Sequence, residues 1–253
     1  MSRSGGRGPP NTLPDHKSHK SAVVLVPKGW GYSASTSDGS HPEISKLLDW
    51  IQDVRSSHDR HIRRWPMPHI TLLYPFAHPR DNALVYEQVI RDLREACRTY
   101  PASGEERISI SSGKDGFGYF LHSKKSSTVY LKPQQKSWLV DLMQHILSFS
   151  ALLSDYDEQI REGGRLPKDS VGDDEDVLRQ IIERHFSPHL SLGQWQGRAA
   201  AESAIHGLMA TFPGPIQWDV RELCILQRDG FKDPFRVVDT ISIGAADSDA
   251  GSD

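Results

Sequence analysis

The stretch Pro68-His69-Ile70-Thr71-Leu72 recurs 120 residues later as Pro188-His189-Leu190-Ser191-Leu192. Both copies read proline, histidine, apolar, hydroxyl, apolar. Successive side chains of a β-strand point to opposite faces. Each copy therefore puts its His and its hydroxyl on one face and sends its two aliphatic residues to the other. At average composition roughly 2% of histidines are followed by apolar, Ser or Thr, apolar, and the chain has 12 histidines. One such match carries little information. Two, each preceded by proline, point to a single site assembled from two strands.

Composition bounds what that site serves. A chain of 253 residues makes one large domain or two lobes with a sizeable core. Apolar residues make up 37% and Pro and Gly are raised, so parts of the chain are expected to stay unstructured. The formal net charge of −3 provides no general basic field for long nucleic acid. A small or terminal phosphate suits that balance, and duplex DNA does not. Cys97 and Cys224 read as buried free thiols in a reducing compartment. No apolar run approaches membrane length and the polar N-terminus lacks a signal-peptide core. The expectation is an intracellular protein, cytoplasmic or nuclear, monomeric and without a membrane partner.

Along the chain, residues 1–20 are rich in Gly, Pro, Ser and charge and read as a disordered tail. Residues 22–26 form a buried-type strand ending at Pro27. Ser40-His41-Pro42-Glu43 is a capping box that opens a helix carried by Ile44, Leu47, Leu48, Ile51 and Val54. This helix is expected to fray over 56–60. The first motif strand spans about 67–76, and a helix over 81–100 ends at Pro101. Strands follow near 108–110, 119–121 and 128–131. Gly113 to Gly118 (GKDGFG) matches no P-loop spacing and reads as a strand-connecting turn. A helix covers 135–149. Residues 152–176 read as an acidic, mobile insertion, followed by a short helix over 177–183 and the second motif strand over 186–195. A helix over 198–212 and two strands, 217–227 and 235–243, complete the fold. An acidic tail covers 244–253.

The order strand, helix, motif strand, helix, two strands thus occurs twice. It predicts an α+β protein with two antiparallel sheets flanked by helices. The bilobal halves, about 21–125 and 126–243, are expected to be related by a pseudo-twofold axis. A central cleft between them would hold the motifs face to face, as ligand sites favour such interfaces.

Two imidazoles and two hydroxyls suffice for phosphoryl chemistry. Imidazole titrates near pH ~6.5, so one His can act as base while the other acts as acid. Placed on opposite sides of phosphorus, one takes a proton from the attacking oxygen and the other gives one to the leaving oxygen. Thr71 and Ser191 are positioned to donate to the non-bridging oxygens. No metal and no cofactor is required. His185 and His189 are four apart, but Pro188 and the strand pattern argue against a helical metal pair. Cys-x-x-Cys, His-Glu-x-x-His and G-x-S-x-G are all absent from the sequence.

His69-Ile70-Thr71-Leu72 and His189-Leu190-Ser191-Leu192 resemble the paired H-x-T/S-x signature of the two-histidine (2H) phosphoesterase superfamily. That superfamily includes LigT-type 2′-5′ RNA ligases, cyclic phosphodiesterases and an exonuclease that trims the U-rich tail of a spliceosomal RNA. The resemblance covers about 21–243. It implies metal-independent chemistry on 2′,3′-cyclic or 2′-5′ phosphodiesters of RNA ends or nucleotides. It also implies that His69 and His189 act as acid and base, with Thr71 and Ser191 as phosphate ligands. The insertion at 152–176 has no counterpart in that pattern.

Around the motifs, Tyr74, Phe76, Phe117, Tyr119 and Trp195 are candidates to stack a base, Tyr119 and Trp195 foremost. Lys114, Lys124, Lys125 and Arg228 are candidates to steer phosphate. His78 and His122 read as loop residues at the surface.

Overall fold

The apolar face of each motif strand is drawn into one shared core. In a computed structural model of the chain, which describes residues 13–14, 17–27, 42–104, 106–134, 136–154 and 174–244, Ile70, Leu72, Leu190 and Leu192 are all buried in it. Each such side chain contributes about 1.5–3 kcal/mol through burial.

The described residues form β1 (Ser21–Leu25), α1 (Pro42–His58), β2 (Ile70–Leu73), α2 (Ala83–Thr99), β3 (Arg107–Ile110), β4 (Phe117–Ser123) and β5 (Ser126–Leu131). They continue with α3 (Ser137–Phe149), α4 (Ala151–Ser154), α5 (Asp174–His185), β6 (Leu190–Trp195), α6 (Gly197–Thr211), β7 (Ile216–Asp219), β8 (Glu222–Gln227) and β9 (Arg236–Ser242). The fold is α+β with two antiparallel sheets flanked by helices, as expected. A seven-stranded sheet has the order β4-β5-β6-β2-β1-β8-β9, and β3 pairs with β7 in a second sheet. β1 is an interior strand and buried at every residue, which explains its unbroken apolar run. One face of it joins the main core under the helices. The other face (Ala22, Val24) packs in a smaller cluster with Met67, Trp65 and Phe235.

The sheets are unequal, and this changes the expected cleft. The two motif strands do not lie in separate sheets. β2 and β6 are hydrogen-bonded neighbours with Ile70 opposite Leu190, so the motifs lie side by side on one surface. The halves of the chain interleave as well. β1 pairs with β2 on one side and β8 on the other, and a division at 125 falls in the turn of the β4–β5 hairpin.

Several boundaries differ from the sequence reading for local reasons. Residues 217–227 are two strands, because β7 pairs with β3 while β8 pairs with β1 and β9. Part of the expected N-terminal tail is ordered. Ser18 bridges to Phe76, and the Lys20 ammonium bonds Asp81. At the edges of the acidic insertion, α4 buries Leu153, and the short helix expected at 177–183 spans Asp174–His185. Residues 155–173, the capping hydroxyl of Ser40 and residues 245–253 lie outside the described residues. The Asn82 side chain caps α2, accepting from the Val85 N–H at 3.1 Å.

Candidate active site

Each motif carries the same local device. The His69 Nδ1 lies 2.9 Å from the Met67 carbonyl, and the His189 Nδ1 lies 2.8 Å from the Ser187 carbonyl. A carbonyl only accepts, so Nδ1–H donates and Nε2 keeps its lone pair. In both copies the intervening residue is the motif proline. It fixes its own φ and holds the preceding residue extended, which turns the carbonyl two residues upstream of the His toward the ring.

Antiparallel pairing sets the four side chains relative to one another. With Ile70 opposite Leu190, one step along each strand puts His69 opposite Ser191 and Thr71 opposite His189. The histidines occupy diagonal corners, a separation on the order of 7–8 Å between backbones. His69, Thr71 and Ser191 line a cavity of about 190 Å³ together with Arg55, Asp59 and Gln194. An adjoining cavity of about 400 Å³ shares Ser191 and Gln194 and is walled by His189, Phe120, His122 and Thr128.

Both imidazoles are held toward neutrality. Burial lowers the His69 pKa to about 4, against the Nδ1 bond to Met67 and with help from the Arg55 guanidinium and His189. Burial lowers His189 as well, opposed by its bond to Ser187. The rings are braced by aromatics. Trp65 stacks on His69 at 4.6 Å and 21° and is itself stacked on Phe235, while Phe120 and His189 meet edge to face with ring centres 4.8 Å apart.

Beneath the site lies a polar network that the sequence reading passed over as a fraying helix end. Arg55 donates to Asp59 Oδ2 through Nε at 3.1 Å and through Nη2 at 2.9 Å. The same guanidinium reaches the Pro66 carbonyl at 3.3 Å and the Trp65 carbonyl, just upstream of Met67. Asp59 Oδ1 accepts from the His61 N–H at 2.9 Å and from Gln194 Nε2 at 3.3 Å. The only sequence signal was the i, i+4 spacing of Arg55 and Asp59.

Gln194 reaches the site through a bulge. The β5–β6 register shifts between Val129 and Tyr130, so Ser191 opposes Tyr130, Gly193 opposes Val129 and Gln194 opposes Thr128. Strict alternation from Ser191 would have turned Trp195 toward the cleft. Instead Trp195 stacks on His58 at 4.6 Å on the opposite side. Tyr119 is also turned away, and its hydroxyl donates to Glu202 on α6 at 2.9 Å. Its neighbour Phe120 takes the cleft side.

The remaining candidates fill other roles. Tyr74 meets the Trp65 edge, and Phe76 and Phe117 are buried core. Arg228 is a buried spoke that donates to the His19 carbonyl at 2.7 Å and the Phe231 carbonyl at 2.7 Å, so it does not steer phosphate. Lys114 lies in a 3-10 turn at the GKDGFG stretch, and Lys124 and Lys125 lie in the β4–β5 turn; none of the three lines either cavity. His78 is buried rather than at the surface. His122, bonded to the Thr128 hydroxyl at 2.9 Å, walls the larger cavity. Cys97 and Cys224 are both buried, and neither is in a disulfide. Among the described residues no three His, Cys, Asp or Glu converge to hold a metal, and no helix is long and apolar enough to cross a membrane.

Comparison with known proteins adds the following. The family model described as the 2′-5′ RNA ligase superfamily matches residues 42–231. No curated protein sequence matches significantly. Among solved structures, E. coli LigT complexed with 3′-AMP is 13% identical, with 89% of this chain and 98% of that one covered and a TM-score of 0.44. Kluyveromyces marxianus Usb1 is 11% identical, with coverage of 91% and 99% and a TM-score of 0.40. A structure titled phosphoesterase is 15% identical, with coverage of 89% and 98% and a TM-score of 0.41.

Proposed function

This chain belongs to the 2′-5′ RNA ligase superfamily, the two-histidine phosphoesterases, and on that premise we propose that it is a metal-independent phosphodiesterase acting on RNA 3′ ends or small nucleotides with 2′,3′-cyclic or 2′-5′ linkages. One observation carries the reading. The two imidazoles, each with Nδ1 tied to a carbonyl and Nε2 without a partner among the described residues, stand diagonally across a pair of hydroxyls.

In the proposed step, His69 Nε2 takes the proton from the attacking water or ribose hydroxyl as the new P–O bond forms. The opposite P–O bond breaks, and the His189 imidazolium gives its proton to the leaving oxygen. His69 suits the base, because burial and the Arg55 charge keep it unprotonated. Burial alone works against the charged form of His189, and an arriving phosphodiester anion favours it again. Thr71 and Ser191 donate to the non-bridging oxygens, where charge builds. Each His contributes on the order of 10²–10⁴ in rate.

The test is cleavage of a short RNA ending in a 2′,3′-cyclic phosphate, with EDTA present, by wild type, His69→Ala and His189→Ala. Turnover that either substitution abolishes is the expected result. A 2′-5′ dinucleotide and a 3′ uridine-tailed RNA assayed in parallel rank the linkages. Turnover that survives both substitutions, or that needs a divalent metal, overturns the proposal. Nucleotide binding without turnover on all three substrates would mark a silent binding module.

A further inference from the structure

The chain between α1 and β2 packs three arginines, Arg60, Arg63 and Arg64, into five residues. The segment is built of tight turns. Ile62 N–H bonds the Asp59 carbonyl at 3.1 Å, and the Arg64 and Trp65 N–H groups both bond the His61 carbonyl at 2.9 Å. The Arg60 N–H is tied across to Gln194 Oε1 on β6 at 3.0 Å. The arginines are therefore carried on ordered backbone, in the loop whose residues Asp59, His61 and Trp65 line the cavity of His69. His61 lines both cavities, and Arg60 lines the larger one.

Nearby carboxylates leave their charge uncompensated. Asp59, the carboxylate nearest in sequence, is committed to Arg55, His61 and Gln194. Among the described residues, none of the three arginines forms an ion pair. Two of them face the same ring, with Arg60 Nε 3.4 Å from His61 Nε2 and Arg64 at His61 Nδ1. A neutral imidazole accepts at one nitrogen only, so one guanidinium meets an N–H there and lacks an acceptor. Burial and the adjacent Arg64 both lower the His61 pKa, which keeps that ring neutral. In a chain of formal charge −3, three such cations in one loop, with Arg60 lining the larger cavity and Arg64 meeting the cavity-lining His61, are a local feature and no sample of a generally basic surface.

We infer that Arg60, Arg63 and Arg64 form a second phosphate subsite, which holds a phosphodiester flanking the scissile one, so that the preferred substrate class is an RNA strand and not a mononucleotide. The inference rests on the phosphodiesterase reading above. Guanidinium groups suit the task, since they bind phosphate through paired N–H donors. Charge-assisted hydrogen bonds of this kind correspond to about a tenfold or larger effect on binding.

The test compares a tetranucleotide ending in a 2′,3′-cyclic phosphate with a nucleoside 2′,3′-cyclic monophosphate. Wild type is run beside single Arg→Gln variants at 60, 63 and 64 and the triple variant, with circular dichroism confirming the fold. The triple variant is expected to raise KM for the tetranucleotide about tenfold more than KM for the mononucleotide. It should also flatten the salt dependence of tetranucleotide binding, by about 0.7 log per log for each phosphate no longer neutralised by a guanidinium. Equal KM changes on both substrates, or an unchanged salt slope, overturn the subsite. If wild type turns over neither substrate, the phosphodiesterase reading fails, and anisotropy of a labelled tetranucleotide decides the subsite separately. Equal affinity of wild type and the triple variant would then rule it out.

Discussion

The Arg55 guanidinium and the Asp59 carboxylate pair at 2.9 Å with side chains only 2% and 4% exposed, directly beneath the cavity that holds His69. Arg55 also holds the Trp65 and Pro66 carbonyls, while Asp59 holds Gln194 and the turn at His61. A single ion pair thus joins the end of α1, the loop entering β2, and β6. It sets where the Met67 carbonyl and the Trp65 ring stand against His69.

Removing one partner leaves an unpaired buried charge. Arg55→Met or Asp59→Leu is expected to lose about 3–5 kcal/mol, read as a lowered urea midpoint. The double variant Arg55→Met/Asp59→Leu should recover a large part of that loss, because neither charge remains. A double variant no more stable than either single one would show that the pair's geometry, and not its charge balance, is what the fold requires.

The hydroxyls should act on rate more than on binding. Thr71→Val keeps the shape and removes the donor, and Ser191→Ala removes the matching one. Each is expected to lower kcat by about 10²–10³, with KM moving far less. Steady-state kinetics on the cleaved substrate separate the two parameters, and a change confined to KM would assign these side chains to ground-state binding.

Gly193 allows the end of α1 to approach β6. Its φ is +154°, and an added Cβ would lie 2.7 Å from the His58 carbonyl carbon and 2.8 Å from its oxygen. Backbone cannot swing aside as a long side chain does. Gly193→Ala is therefore expected to cost about 1–3 kcal/mol and to lower activity, since the same bulge positions Gln194 and Ser191. Thermal melting checks the first effect and turnover the second.

The histidines make stability depend on pH and, in the proposed reaction, activity as well. The His69 pKa falls from an ordinary value of about 6.5 to about 4 in the folded protein. Between these values the unfolded chain binds more protons, so stability rises with pH. The contribution is complete above about pH 6.5 and is lost as pH falls toward 4. His69→Gln should flatten that slope in urea titrations between pH 4 and 7. The base is active above its pKa and the acid below its own, which burial also lowers. The profile of kcat/KM is therefore expected to be a bell centred below about pH 6.5. An optimum well above neutrality would reassign the base.

Residue patterning made much of this legible. The doubled motif, the alternation that separates His and hydroxyl from the aliphatic residues, and the amphipathic helices are all local and periodic. So is the buried run of β1. Long-range pairing is not local. The assignment of 217–227 to one strand failed because its two parts find different partners, β3 and β1. Trp195 was misplaced because a bulge inserts one residue into the pairing, and a one-residue slip reverses every side chain beyond it. Tyr119 gave way to its neighbour Phe120 because pairing with β5, where Phe120 opposes Thr128, sets which of the two alternating faces meets the cleft.

By itself, then, the sequence determined the groups that meet at the candidate site: two imidazoles and two hydroxyls, each pair on one face of a strand, with a proline ahead of each His. The α+β class followed from the same periodicities. Only the tertiary structure decided that β2 and β6 are neighbours in one sheet, which sets the histidines on a diagonal. It likewise decided that Arg55 and Asp59 are buried beneath them, while Arg60, Arg63 and Arg64 find no carboxylate among the described residues. An i, i+4 charge pair reads alike on a solvated helix face and under an active site. Burial is a property of what packs against a residue, and that partner can lie more than a hundred residues away, as Gln194 does from Asp59.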